Sequence, residues 1–135
     1  MIEKVTLQLT AEGKFELNGK TSCEELNPKA LMLYAGAKCA GLTVLHIMKR
    51  ERMTPKRLEI TLSGELSTDT LQAESVFREF HMVYNVECTA ESDQTRASHA
   101  IELAHEKHCG LVRMLSKIAP VSHEVAIVTT EPAKA

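Results

Sequence analysis

Cys39 and Cys109 are the residues of this chain whose type and placement could do chemistry. Each lies inside a long apolar segment with helical spacing, and the two stand 70 positions apart. One thiolate can attack an oxidant, become a sulfenic acid, and be resolved by a second thiol as a disulfide. Free cysteine is also among the most buried residue types, so two packed core thiols fit the same pattern. Cys23, in a polar stretch, and Cys88, at a strand end, carry no such signal. Four scattered cysteines without a CxxC pair make neither a disulfide scaffold nor a zinc knuckle.

His105, His108 and Cys109 form a second cluster, in which His105 and Cys109, four apart, could both touch a metal. Two side chains at that spacing are a fragment of a site and no third ligand is identifiable, so no metal is expected. His81 and His123 fall on strand patterns, and nothing in the sequence brings them to the cluster. Gly36 and Gly41 sit inside a helical pattern rather than between strand and helix, which rules out a phosphate loop, and no cofactor is expected. A Ser-His-Asp arrangement has no elbow motif behind it. The run Lys49-Arg50-Glu51-Arg52 reads as the solvated end of a helix, where cations complement the dipole.

The elements that must hold these residues follow from patterning. Val5, Leu7 and Leu9 alternate with polar neighbours. A turn at 11–14 then leads into Phe15-Glu16-Leu17, a hairpin that ends at Asn18-Gly19. Residues 20–26 read as a polar loop. Asn27 is a good N-cap and Pro28 suits the first helical position, so a helix is expected from 28 to about 52. One stripe of it carries Leu31, Ala35, Cys39, Leu42 and His46, and Leu33, Ala37, Ala40 and Val44 cover much of the remainder. A helix apolar on nearly all sides is a central, buried one. Gly36 and Gly41 cost helix propensity, which points to close approach by another helix or chain.

Past Pro55, Leu58, Ile60 and Leu62 alternate as a half-buried strand. From Val76 a long strand, carrying Phe80, Met82, Tyr84, Val86 and Cys88, pairs with it as a hairpin. Ser92 or Asp93 caps a second helix whose stripe runs Ala97, Ala100, Ile101, Ala104, His108, Leu111, Val112, Leu115 and Ile118, with Cys109 on its flank. Pro120 ends that helix. Val121, His123, Val125 and Ile127 form a last strand, and 129–135 a frayed tail. The order ββ-α-ββ-α-β predicts one α+β domain over 1–135, with two long helices packed on an antiparallel sheet.

Composition narrows the function. The chain has 135 residues, is 44% hydrophobic, lacks Trp, and carries 16 basic against 18 acidic residues for a formal charge of −2. With few aromatics for base stacking and no basic stripe, nucleic acid is not an expected partner. The N-terminus has no signal-peptide pattern and the apolar stretch 30–45 is short for a membrane span. The expectation is a soluble, cytoplasmic protein with no membrane partner.

The segment Asn27-Pro28-Lys29-Ala30-Leu31-Met32-Leu33-Tyr34-Ala35-Gly36-Ala37-Lys38-Cys39 resembles the start of the central helix in the OsmC/Ohr family. Glu106-Lys107-His108-Cys109, followed by Val121-Ser122-His123-Glu124-Val125, is similar to that family's second cysteine helix and closing strand. The resemblance covers essentially the whole chain and is greatest to the YhfA-like branch. It implies an OsmC-like fold in an intertwined homodimer with active sites at the subunit interface. It also implies a thiol peroxidase in which Cys39 reduces a hydroperoxide, Cys109 resolves it, and a lipoamide-like dithiol regenerates both. Apolar walls from Leu31, Leu42, Ile101 and Leu115 would suit an organic hydroperoxide.

Two positions depart from the Ohr pattern. Lys29 stands where the family has a glutamate ten residues before the first cysteine, and no arginine precedes Arg50. Cys39 lies twelve residues past Asn27, beyond the reach of the positive helix end. Lys38, Lys29 of the partner subunit, or His105 are the groups left to activate Cys39, although an exposed first-turn position is the simpler reading of Lys29. These departures suit a weak or specialised peroxidase. They also suit a non-catalytic small-molecule-binding or stress-related protein on the same scaffold.

Overall fold

A computed structural model of the chain describes residues 1–18 and 22–130. The alternating segments become strands β1 (Ile2–Leu9), β2 (Phe15–Leu17), β3 (Arg57–Leu66), β4 (Phe77–Cys88) and β5 (Val121–Thr129). They form one sheet in the order β2-β1-β3-β4-β5. Helix α1 (Pro28–Arg50) separates the two hairpins, and α2 (Asp93–Leu103) and α3 (Gly110–Ile118) connect β4 to β5. The expected hairpin β1-β2 forms with Leu9 opposite Phe15, and its turn uses Gly13 at φ +81°. Of the expected loop, Lys20 and Thr21 lie outside the described residues, and Cys23–Glu25 make a short 3-10 turn. Of the expected tail, Thr129 is in β5 and the Thr130 N–H bonds the Cys88 carbonyl, while 131–135 lie outside the described residues.

The sheet departs from the expected antiparallel arrangement at one edge. β1, β2, β3 and β4 pair antiparallel, but β5 runs parallel to β4, with Tyr84 opposite Val125. A helical crossover returns the chain to the end of the sheet at which β4 began, so the next strand must run the same way. One row across the sheet is Val5, Leu62, Met82 and His123, and the next is Leu7, Ile60, Tyr84 and Val125. In both rows the residues of β1, β3 and β4 are buried, under the helices.

Helix α1 starts as its sequence dictates. The Asn27 side chain accepts from the Ala30 N–H at 2.9 Å, Pro28 opens the first turn, and Lys49 and Arg50 close the last. Arg52, at φ +58°, turns the chain out toward β3. By length and composition α1 is long and apolar enough to cross a membrane, longer than the apolar stretch suggests. Here Leu33, Ala37, Ala40, Val44 and Met48 are instead buried within the fold. The other stripe faces outward: Leu31 is 39% and Leu42 47% exposed, and Cys39 is half-buried between them.

Gly36 and Gly41 are explained by close approach within this chain, in part of the expected kind: a Cβ at Gly36 would lie 3.0 Å from Leu115 of helix α3, and both glycines lie against the sheet. A Cβ at Gly36 would lie 2.9 Å from Leu62, and one at Gly41 would lie 2.5 Å from the Phe15 ring and 2.9 Å from Ile60. Gly41→Ala should therefore lower stability by about 1–3 kcal/mol, because overpacking outweighs the gain in helix propensity. Gly110→Ala, where a Cβ meets nothing within 4 Å, should be neutral or slightly stabilising. Urea denaturation of the two variants checks this contrast.

Candidate functional site

The second helix does not run unbroken to Pro120 as its stripe predicts. After α2 the chain widens into a π-helical turn at Ala104–His108, and the Cys109 N–H bonds the Ala104 carbonyl at 2.8 Å. Cys109 itself is extended, with φ −87° and ψ 105°, and stands at the N-cap of α3. The extra residue in the turn shifts the helical register. His108, expected on the apolar stripe, is exposed, and Cys109, expected on the flank, is fully buried.

This break brings the two thiols together. The Cys109 S–H donates to the Cys39 sulfur at 3.2 Å. A disulfide needs about 2.05 Å, so a shift of roughly an ångström at one of the two sulfurs is enough. The thiols are not equivalent. Cys109 is pushed up to about 11, first by burial and then by its hydrogen bond to Cys39, against the backbone N–H groups of Val112 and Leu111, which favour the thiolate. At neutral pH Cys109 is thus a protonated donor, and Cys39 is the half-buried sulfur that receives its hydrogen bond.

Of the groups considered for activating Cys39, Lys29 is tied elsewhere in its own chain. From the first turn of α1 its ammonium bonds the Gln72 carbonyl at 2.9 Å and the Ala73 carbonyl at 3.3 Å, at the surface. Lys38 stands over the Tyr34 ring at 5.8 Å. Ile101 and Leu115, expected as walls of a substrate site, are buried in the core, and Leu31 and Leu42 remain exposed. A cleft lined by Leu42, Thr43, His46, Ile47, Arg50 and His108 opens along α1 past Cys39, with neither cysteine in its lining.

A second set of residues that sequence reasoning left apart converges behind Cys109. The His105 and His123 rings stack with centroids 3.9 Å apart, and His123 Nε2 lies 2.8 Å from Glu102 Oε1. The buried Tyr84 hydroxyl is 3.4 Å from His105 Nδ1 and donates to the Met82 sulfur at 3.6 Å. Burial, and then the charges of Cys109 and Glu102, push the Tyr84 phenol up. His105 is lowered to about 4 by burial and by His123, against the attraction of Glu102. The signal for His123 was its place in the inward alternation of the last strand, and for Tyr84 the rule that a buried phenol needs a polar partner.

Among the described residues, no group of three or more His, Cys, Asp or Glu is arranged to hold a metal ion. Elsewhere His81 bridges Ser122 at 2.6 Å and Glu124 at 2.9 Å across the β4-β5 pair. That Ser-His-Glu chain lies on the exposed sheet face, where the backbone is engaged in the strand ladder, and it ties the edge strand down.

The low value of His105 carries a pH dependence. The group takes up its proton near 6.5 when unfolded and near 4 when folded. Between those values the unfolded chain binds more protons, so stability falls as pH falls. Urea denaturation at pH 7 and pH 5 should show this loss, and His105→Gln should flatten it.

Comparison with known proteins agrees with this architecture. The family model described as OsmC-like protein matches residues 19–124, well over half of the chain. Protein YhfA of Escherichia coli strain K12 is 23% identical over 112 residues, 83% of this chain and 81% of that protein. A hypothetical protein from Aquifex aeolicus VF5 has 26% identity and a TM-score of 0.59, covering 94% of this chain and 96% of its own. The organic hydroperoxide resistance protein OhrB of Bacillus subtilis shares the fold with 18% identity and a TM-score of 0.56, covering 93% and 97%. With its α+β sheet, its helices and this match, the chain belongs to the OsmC-like protein family.

Proposed function

We propose that this chain is a cysteine-based hydroperoxide reductase in which Cys39 is the attacking thiol and Cys109 the resolving one. The observation that carries the assignment is the 3.2 Å contact in which the buried Cys109 donates to the more accessible Cys39. The Cys39 thiolate attacks the distal oxygen of ROOH, the O–O bond breaks, and ROH leaves with a proton as Cys39 becomes the sulfenic acid. Cys109 then attacks the Cys39 sulfur, the S–O bond breaks, and the hydroxyl leaves as water with the Cys109 proton. A small dithiol, lipoamide-like in chemistry, reduces the disulfide by two thiol-disulfide exchanges and leaves as its own disulfide.

The Bacillus subtilis neighbour is an organic hydroperoxide resistance protein, and the Legionella pneumophila neighbour is described in the same words. Leu42 and Ile47 give the cleft that opens along α1 past Cys39 an apolar side that suits an organic hydroperoxide. Regeneration by a dithiol fits a reducing compartment such as the cytoplasm. The active form is a homodimer: Leu31, Leu42, Met114 and Ile118 are 39–58% exposed on α1 and α3, an apolar set that a second copy would cover.

Stopped-flow measurement of cumene hydroperoxide loss tests the assignment. Wild type with a dithiol should turn over repeatedly, Cys39→Ser should consume nothing, and Cys109→Ser should consume one equivalent and stop with a dimedone-reactive Cys39. Peroxide loss in Cys39→Ser would overturn it. For the dimer, Leu42→Lys should shift sedimentation velocity from a dimeric to a monomeric species, and an unchanged profile would contradict that interface.

A further inference from the structure

The cleft that opens along α1 past Cys39 is cationic without a counter-charge in its lining. It begins one helical turn beyond the thiol, where Leu42 and Thr43 follow Cys39 and the Thr43 hydroxyl donates to the Cys39 carbonyl at 2.8 Å. Leu42 and Ile47 supply its apolar wall, and His46, Arg50 and His108 supply N–H donors. No Asp or Glu lines it. Among the described residues, none of these three donors is paired with a carboxylate, and Glu51, next to Arg50 in the chain, is turned toward His99 at 3.7 Å.

Complementarity to the helix dipole accounts for Lys49 and Arg50 in the last turn of α1. It does not account for their neighbours: His46 comes from a turn earlier, and His108 comes from the π-helical turn of another element. The carbonyl end of α1 carries about half a negative charge, less than the full positive charge of Arg50 alone. The wider field has the same sign. Helix α1 carries Lys29, Lys38, Lys49 and Arg50 with no acidic residue, and α3 carries Arg113 and Lys117 with none. Such a field draws an anion toward this side of the molecule.

We propose that this cleft takes the carboxylate of an amphipathic acid, with Arg50 as its anchor and the carbon chain lying along Ile47 and Leu42 toward Cys39. The guanidinium fork matches the two carboxylate oxygens, and the imidazoles of His46 and His108 add one N–H each. The volume of about 410 Å³ falls within the range of roughly 300–1,000 Å³ usual for small-molecule sites. Only the identity of the chain's reactive group rests on the peroxidase reading above, in which the substrate becomes a hydroperoxy acid.

The helix then acts as a ruler. At about 1.5 Å per residue, His46 lies about 10 Å and Arg50 about 16 Å along the axis from Cys39. An extended carbon chain advances roughly 1.25 Å per bond, which places the peroxide about eight to thirteen bonds from the carboxylate. A short acid cannot reach both ends.

Steady-state kinetics with 12-hydroperoxydodecanoic acid, 6-hydroperoxyhexanoic acid and their methyl esters tests charge and length together. In wild type the long acid should exceed its ester in kcat/KM by about tenfold, mostly through KM, and the short acid should have no such advantage. Arg50→Gln should bring the long-chain ratio close to one, and Arg50→Lys should keep part of it. Lys49→Gln, at a position outside the cleft lining, should keep all of it. Equal kcat/KM for the long acid and its ester in wild type, or a ratio that Arg50→Gln leaves untouched, would overturn the subsite.

Calorimetry with decanoate needs no peroxide and so separates the two readings. Decanoate should bind wild type and bind Arg50→Gln about fivefold or more weakly. If wild type consumes none of the hydroperoxides, the peroxidase reading fails and decanoate alone decides the subsite. The loss of binding in Arg50→Gln supports it, and equal binding by both proteins overturns it.

Discussion

The contact between the Cys39 and Cys109 sulfurs depends on a helix that breaks at one residue. A continuous α-helix through 93–118 would leave Cys109 beside its apolar stripe and His108 on it. The π-helical turn and the extended backbone at Cys109 exchange the two, so the thiol is buried and the imidazole is in solvent. Everything chemical about the molecule follows from that exchange. The sulfurs come within reach of a disulfide, Cys109 lands under the first amides of α3, and His105 meets the last strand. A π-turn of this kind costs hydrogen-bond geometry, and such turns occur frequently at functional sites.

The break also makes the two thiols unequal. Burial outweighs the amides of Leu111 and Val112, holding Cys109 protonated as the donor to the Cys39 sulfur. Within its own chain Lys29 is engaged elsewhere, because its ammonium holds the loop carbonyls of Gln72 and Ala73.

Much of this was legible in the residues. Period-two alternation placed four strands within a residue or two, and Asn27-Pro28 placed the start of α1, because caps and alternation are local signals. The two cysteines were found for the same reason, each sitting in a strong helical pattern. What was not legible was set by tertiary contact. The direction of β5 depends on a crossover, not on its own alternation. The shift at Cys109 leaves no mark on a stripe that looks continuous from Ala97 to Ile118. His123 and Tyr84 read as ordinary inward strand positions until the parallel pairing with β4 put them side by side beneath His105. The stripe of Leu31, Ala35 and Leu42 was read as buried, and it is the outward face of α1 in a single chain.

The claim that ties these points together is that the folded chain holds Cys39 and Cys109 as one redox unit. Thiol mapping by mass spectrometry after one equivalent of cumene hydroperoxide, added to the reduced folded protein, tests it most directly. The account predicts a single disulfide between Cys39 and Cys109 of the same chain, with Cys23 and Cys88 still as free thiols. Four intact thiols, or a disulfide that joins either cysteine to a different partner, would contradict it.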